Sequence, residues 1–483
     1  MAEGFLVLCF LTSGFIQKWY FSQGIDHGKS IIQIVDTDRD NNYEFIFTIY
    51  GSWPGYLHFY EFHLPDTWQM DSILLPSADL LWDSGDFDGD GIYDLVLQFH
   101  SENPSLADGI VIFESPDSFS YPTQEVWRDT VGFALVTPIC VYDIDQDGLP
   151  EIVKVIGDTT DFDIYESVGN NLYSKIYRDT MPTNGDCPSS TIAFGDFDSD
   201  GKMEFVMGGM SAGSLGATYW IHESPADNIY ERIVEEYVPT KNIKDCFSIP
   251  DADGDGKLEF VVKGFTVPDA RIHAFIFEAT ADNTYEIIKT FDLFGGYDWY
   301  GGGHSEASDV DGDSIPEIVL EGCQNVHIIK SAGNDSFYVW ETLPGNLTGS
   351  SVRVTNDLDG NGYNEIVISG NNQTRIYEYE PGGIAEEKSA IQATRLCVTP
   401  NPFTHSIKIA LQTQIKEKIS VKVYNVAGRL VKNLYKGTID GNRILHWHGD
   451  DENDRIVSQG IYFLQLKNID SGESFCEKIL KIR

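Results

Sequence analysis

This sequence predicts an all-β protein, a seven-bladed β-propeller followed by a small β-sandwich, and three observations carry the prediction. An acidic motif recurs seven times at spacings of 48 to 58 residues. Each copy runs into a short β-branched or aromatic segment, and further such segments fill out a unit of four strands. Beyond residue 396 the motif stops, and apolar and polar residues alternate with the strand period of two.

The first observation is the motif Asp-x-Asp-x-Asp-Gly-x-x-acid. Its copies are Asp36, Asp38, Asp40, Glu44; Asp86, Asp88, Asp90, Asp94; Asp143, Asp145, Asp147, Glu151; and Asp196, Asp198, Asp200, Glu204. They continue with Asp251, Asp253, Asp255, Glu259; Asp309, Asp311, Asp313, Glu317; and Asp357, Asp359, Asn361, Glu365. Oxygen side chains at positions 1, 3 and 5 of a tight loop point to one centre. Glycine at position 6 allows the sharp turn, and the acid at position 9 completes a cage for a hard cation. Without a cation, carboxylates about 4 Å apart repel by roughly 4 kcal/mol at an effective dielectric near 20. No basic residue stands at a ligand position to relieve this. The expected cofactor is Ca²⁺, up to seven ions. Asn41, Ser314 and Asn361 depart from the consensus, so weaker binding is expected in loops 1, 6 and 7.

The second observation is the strand content. The position-9 acid opens a strand in nearly every unit, as in Glu151-Ile152-Val153 and Glu317-Ile318-Val319-Leu320. An EF-hand differs in its acid at position 12 and its flanking helices. A third strand ends in or near Glu61, Glu114, Glu166, Glu223, Glu278 or Glu378, and a fourth follows. The seventh unit has no fourth strand before Pro381-Gly382-Gly383. The unclaimed segment Ile16–Phe21 resembles the other fourth strands and is expected to close the ring, removing its sheet edges.

Composition sets the outer limits. A chain of 483 residues is too long for one ordinary core. Lys plus Arg is 33 against 75 Asp plus Glu, a formal charge of −42, which excludes nucleic acid as a main partner and disfavours anionic lipid. Apolar residues at 42% and aromatics at 13% suffice for a core and argue against disorder. No apolar run reaches the length of a transmembrane helix. Cys9, Cys140, Cys187, Cys246, Cys323, Cys397 and Cys476 are scattered, form no CxxC and read as buried free thiols. Residues 1–15, with Phe5–Leu11 apolar and no preceding Lys or Arg, read either as a signal peptide or as a truncated start. The propeller is expected over 16–381, a polar linker over 382–395 and the sandwich over 396–483.

On the loops, the strand order and the count, residues 16–381 resemble the FG-GAP or VCBS repeats of integrin-α-like seven-bladed propellers. The Phe-Gly-Gly-Ala-Pro signature survives only in fragments such as Phe194-Gly195. The third observation also carries a resemblance. Pro400-Asn401-Pro402-Phe403, Gly460-Ile461-Tyr462-Phe463 and the basic terminus Lys478–Arg483 are similar to the type A sorting domain of type IX secretion. They are similar also to the flagellar hook-capping immunoglobulin-like module. That resemblance implies an immunoglobulin-like sandwich, export across the outer membrane, and the secretion machinery as partner.

No catalytic constellation emerges. Gly209–Gly213 matches G-x-S-x-G, but a Gly-rich hairpin into a strand is expected there, not a strand, turn and helix. Gly28-Lys29-Ser30 lacks the earlier glycine of a P-loop. On the propeller face opposite the acidic loops, Tyr297, Trp299, Tyr300 and His304 lie in a Gly-rich stretch that suits stacking on sugar or peptide. Aromatic packing over the central channel is the competing reading. The expected function is a secreted, Ca²⁺-binding cell-surface module for glycan or protein. A polysaccharide lyase or hydrolase and a structural surface-layer component stay open as alternatives.

Overall fold

The structure, a computed structural model, describes residues 14–21, 31–49, 56–63, 67–74, 80–99, 109–130, 139–156, 161–181, 189, 191–209, 216–266, 271–294, 303–322, 325–344, 351–370, 373–381, 394–399, 403–413, 416–426, 428–439, 442–453, 455–469 and 474–482. All regular elements among them are strands. They divide into two compact units, Gln17–Glu380 and one within Pro381–Arg483.

Seven four-stranded antiparallel sheets make up the first unit. Blade 1 comprises Gln33–Val35, Glu44–Ile49, Tyr56–His63 and Thr67–Leu74, and blade 2 Leu80–Gly85, Asp94–Phe99, Gly109–Glu114 and Gln124–Thr130. Blade 3 comprises Ile139–Tyr142, Glu151–Ile156, Asp161–Gly169 and Leu172–Thr180, and blade 4 Ala193–Gly195, Met203–Gly208, Ala217–Ala226 and Ile229–Val238. Blade 5 comprises Asn242–Ile249, Glu259–Thr266, Arg271–Ala281 and Thr284–Phe294, and blade 6 Glu306–Ser308, Glu317–Gly322, Asn325–Ser331 and Phe337–Pro344. Blade 7 takes Ser351–Val354, Glu365–Gly370 and Gln373–Glu380 from its own stretch of chain. Its outer strand is Gly14–Phe21, so the segment expected to close the ring does so.

Burial follows from this stacking. A middle strand of a blade is covered on both faces by neighbouring blades, so it is buried throughout rather than on alternate residues. Asp94–Phe99, Glu151–Ile156 and Glu365–Gly370 are buried at every residue, whereas the outer strand Gln124–Thr130 is largely exposed. Ile32, Phe45 and Phe47 of blade 1 share one apolar cluster with Leu358, Val367 and Ile376 of blade 7, which seals the join.

Polar side chains of the inner strands tie several blades to the next. Gln33 Nε2 donates to Trp82 O at 2.9 Å, and Val141 N donates to Asp83 Oδ2 at 3.0 Å. Ser305 N donates to Asp245 Oδ2 at 2.9 Å, Val354 N to Glu306 Oε2 at 2.7 Å, and Arg353 Nε to Ile32 O at 3.1 Å. Asp245 also pairs with the buried Lys263 at 2.9 Å, and Lys263 lies 3.4 Å from Glu321.

The second unit is a sandwich of a three-stranded sheet (Thr394–Thr399, Ile407–Thr413, Asn442–Trp447) and a four-stranded one (Leu430–Ile439, Glu417–Asn425, Gly460–Asn468, Ser474–Lys481). Alternation aims Ile407, Ile409, Ile419, Val421 and Val423 into one core around Trp447. The expected hairpin at Asn425–Arg429 is present: Asn425 N donates to Arg429 O at 3.0 Å, and Gly428 has φ 70°.

Cys140 and Cys246 are buried free thiols, as expected. Cys9, Cys187 and Cys323 lie outside the described residues, as do Gly28–Ser30 and most of Gly209–Gly213. Gly209 itself directly follows the strand Met203–Gly208, and the next described strand is Ala217–Ala226.

Candidate metal centres

Each acidic motif forms the loop between the first and second strands of its blade, and all seven share one hydrogen-bond frame. The position-1 aspartate organises the turn. Gly91 N donates to Asp86 Oδ2 at 2.8 Å, Gly201 N to Asp196 Oδ2 at 3.0 Å and Gly256 N to Asp251 Oδ2 at 2.9 Å. Asn41, Gly148, Ser314 and Gly362 make the same bond to Asp36, Asp143, Asp309 and Asp357. The position-5 side chain then accepts the N–H of position 7, as in Ile92 to Asp90 at 2.8 Å and Tyr363 to Asn361 at 3.0 Å.

Two backbone positions per loop are left-handed. Position 6 has φ between 70° and 97° in all seven, Asn41 and Ser314 included, so the non-glycine copies adopt the same turn. Position 4 is left-handed too, at Arg39, Gly89, Gln146, Ser199, Gly254, Gly312 and Gly360. The sequence motif left position 4 unassigned; glycine in four of the seven copies was the available signal.

The position-9 acid sits at the floor of each loop. Glu44, Glu151, Glu204, Glu259, Glu317 and Glu365 are fully buried, and Asp94 is 1% exposed. One oxygen accepts the backbone N–H of position 2: Thr37 to Glu44 and Phe197 to Glu204 at 2.7 Å, Phe87 to Asp94 at 2.9 Å, Leu358 to Glu365 at 3.0 Å. The other oxygen is buried without a hydrogen-bond partner in all seven loops. Burial, opposed by the position-2 bond and reinforced by the loop aspartates, pushes Glu44, Asp94, Glu151 and Glu259 up to about 8 and Glu204 to about 9.

Ligand atoms of Asp36, Asp38, Asp40 and Glu44 all lie within 4.8 Å of one another, as do those of Asp196, Asp198, Asp200 and Glu204 and those of Asp251, Asp253, Asp255 and Glu259. The same spacing unites Asp86, Asp88 and Asp90 without Asp94, and Asp143, Asp145 and Glu151 without Asp147. In six loops that second position-9 oxygen, without a hydrogen-bond or ion-pair partner at the floor of a set of oxygen donors, fits a calcium-type cation; in the sixth, Lys330 Nζ lies 3.2 Å from it.

Lysines outside positions 1, 3, 5 and 9 approach the loops. Lys202 at position 7 lies 2.6 Å from Asp200 and 3.0 Å from Glu223. Lys18 of the closing strand lies 2.8 Å from Glu378, and Lys330 reaches into the sixth loop.

A second connection ties loops to neighbouring blades. The hairpin between third and fourth strands of one blade donates a backbone N–H to the position-3 aspartate of the preceding blade. The donors are Asn171 to Asp88 at 2.6 Å, Asn228 to Asp145 at 2.8 Å, Asn283 to Asp198 at 2.7 Å and Asp335 to Asp253 at 2.6 Å. Each donor is left-handed, with φ 55° to 59°.

Of the expected stacking platform, Tyr297, Trp299 and Tyr300 lie outside the described residues. His304 is buried at 3% exposure, edge-on to Trp82 at 6.3 Å, so its ring is packed inside the propeller rather than displayed.

The FG-GAP-like repeat family matches residues 143–207, a stretch running from the first aspartate of loop 3 through loop 4. The secretion system C-terminal sorting domain matches residues 398–481. No curated protein matches the chain. Among solved structures the chain is similar to PorZ, a surface component of the type IX secretion system of Porphyromonas gingivalis, at 11% identity over 94% of this chain and 70% of that one, with TM-score 0.33. It is similar also to Kuenenia stuttgartiensis hydrazine synthase (11% identity, 74% and 96% covered, TM-score 0.45) and to the periplasmic gluconolactonase PpgL of Pseudomonas aeruginosa (10%, 84% and 99%, TM-score 0.44). At these scores the fold rests on the strand pairing itself. The chain thus carries an FG-GAP-like repeat within its propeller and a sorting domain at residues 398–481, which directs it by type IX secretion to the cell surface or beyond.

Proposed function

We propose that this protein is a Ca²⁺-stabilised surface propeller that binds a glycan or a protein. The observation that carries the calcium reading is the buried, partnerless oxygen of the position-9 acid in six of the seven loops, all but the sixth. A divalent ion would supply the charge that such a carboxylate lacks, and the aspartates at positions 1, 3 and 5 would hold it from above. Its role is to fasten the loops and so the blades. Support for the binding role comes from the sorting domain, which delivers the propeller to the surface. The fold by itself assigns no ligand.

The test is a metal count on the purified chain, followed by a glycan array and capture from envelope material, each in Ca²⁺ and in EDTA. Bound calcium and a ligand held only in Ca²⁺ are expected. Absence of calcium would remove the metal reading, and failure on both binding screens in Ca²⁺ would remove the binding one. Trp299→Ala and Tyr300→Ala then ask whether the Gly-rich stretch contributes.

A further inference from the structure

In six blades the position-9 acid stands beside a glutamate of the third strand. Glu44–Glu61, Asp94–Glu114, Glu204–Glu223 and Glu365–Glu378 are register partners. The pairing of Ile152 with Tyr165 and of Phe260 with Phe277 sets Glu151 beside Glu166 and Glu259 beside Glu278. Blade 6 differs. There Ile318 pairs with Ile329, so Glu317 stands beside Lys330.

The side chain of Lys330 follows that register into the loop. Its ammonium lies 2.5 Å from Asp311 Oδ2, 3.0 Å from Asp313 Oδ2 and 3.2 Å from Glu317 Oε1. The last is the counterpart of the buried oxygen left without a hydrogen-bond partner in the other six loops. No ion pair reaches that oxygen in the other six loops among the described residues. The face of Trp340 covers the ammonium from outside, 4.5 Å from the ring centre. Lys330 therefore meets three of the four acids of its loop, the buried position-9 acid among them.

The ring closure explains why this loop differs. In loops 2 to 5 the position-3 aspartate takes an N–H from the hairpin of the next blade. Loop 6 is followed by blade 7, whose third strand pairs with Gly14–Phe21 from the other end of the chain. No third-to-fourth-strand hairpin exists there to reach Asp311. Its Oδ2 takes the Lys330 ammonium instead.

We infer that Lys330 is a built-in cation of the sixth loop. Its ammonium holds the carboxylates that a divalent ion would hold elsewhere, so the full complement is at most six Ca²⁺, not seven. Asp309, Asp311, Asp313 and Glu317 then form a loop that chelators leave intact. The count rests on the calcium reading of the other loops, whereas the role of Lys330 does not.

Two measurements on the full chain separate these. The first is bound calcium per chain by elemental analysis after gel filtration in Ca²⁺. Wild type is expected to hold no more than six ions, and Lys330→Glu, which installs the glutamate of the other blades, one more than wild type. Seven ions in wild type, or equal counts above zero in the two proteins, would overturn the inference while leaving the calcium reading standing. The second is thermal unfolding in EDTA, where no metal contributes. Lys330→Met is expected to lower Tm by several degrees. Lys202→Met, which leaves a position-9 oxygen untouched, is expected to lower it clearly less. Equal melting of Lys330→Met and wild type in EDTA would overturn the role of Lys330. No calcium on any protein, with that Tm loss intact, would remove the calcium reading alone.

Discussion

Lys18 Nζ lies 2.8 Å from Glu378 Oε1, joining the first described strand to the last strand of the propeller. The glutamate is 1% exposed, and burial alone would raise its pKa; Lys18 opposes that rise. Closing the ring therefore places a cation on a buried carboxylate as well as pairing two backbones.

Lys18→Met should cost about 1–3 kcal/mol, because it leaves the Glu378 charge buried without its ammonium. Urea unfolding measures this. The double variant Lys18→Met, Glu378→Gln should recover part of the loss, and no recovery would mean that Lys18 acts through packing only.

Glu204→Gln should change stability in opposite directions with and without metal. In EDTA it removes a carboxyl that must either stay charged or take up a proton on burial, and so should raise Tm. In Ca²⁺ it removes a ligand, lowers the ion count by one and should lower Tm. An ion present at about 100 times its Kd contributes about 2.7 kcal/mol. A shift of the same sign in both conditions would speak against a metal at this loop.

The position-9 carboxyls also set a pH dependence for the metal-free protein. Their folded pKa values lie at about 8 to 9 in loops 1 to 5, above the ordinary carboxyl range, because burial disfavours the charge. The folded state then binds more protons than the unfolded one in between. Their contribution is full below the ordinary carboxyl value and is lost as pH rises through about 8. Tm in EDTA should therefore fall from pH 6 to pH 9. In saturating Ca²⁺ the ion holds these carboxyls ionised in the folded state as they are in the unfolded one, so this fall in Tm should disappear over the same interval. Equal slopes in the two buffers would exclude these groups as the source.

Lys263→Met should be among the most damaging single changes in the propeller. It would leave Asp245, fully buried, and Glu321, 2% exposed, without their shared ammonium. Breaking a buried pair from one side costs about 3–5 kcal/mol. The urea midpoint, or the yield of folded chain, reads this directly.

Asn283 holds φ 55° while its N–H bonds Asp198. Asn283→Gly should stay within about 0.5 kcal/mol of wild type, since glycine takes that conformation freely. Asn283→Val should cost about 1–2 kcal/mol in strain. Similar stability in the two variants would mean that the hairpin relaxes without loss.

Much of the candidate site could be read along the chain because its ligands are local. Nine consecutive residues carry four donors and the turn, so Asp196, Asp198, Asp200 and Glu204 announce one loop. The strand that closes the ring could be inferred as the unclaimed partner of an unfinished blade. The sixth loop was harder. Its acids match the others, and the difference lies at Lys330, thirteen residues past Glu317 and on another strand. The signal was present in Val326-His327-Ile328-Ile329-Lys330, which aligns a lysine with the glutamates of six other third strands. It acquires meaning only once register sets Lys330 beside Glu317.

Strand content, the seven loops, their acidic donors and the sorting domain can all be read along the chain, because each is written in periodicity or motif over short spans. The tertiary structure decided which oxygen of each buried acid is left without a partner and which hairpin reaches the neighbouring loop. It also decided where a lysine stands in for a cation. Those contacts join residues on different strands and blades, and their energies depend on distance and burial, which chain order does not encode.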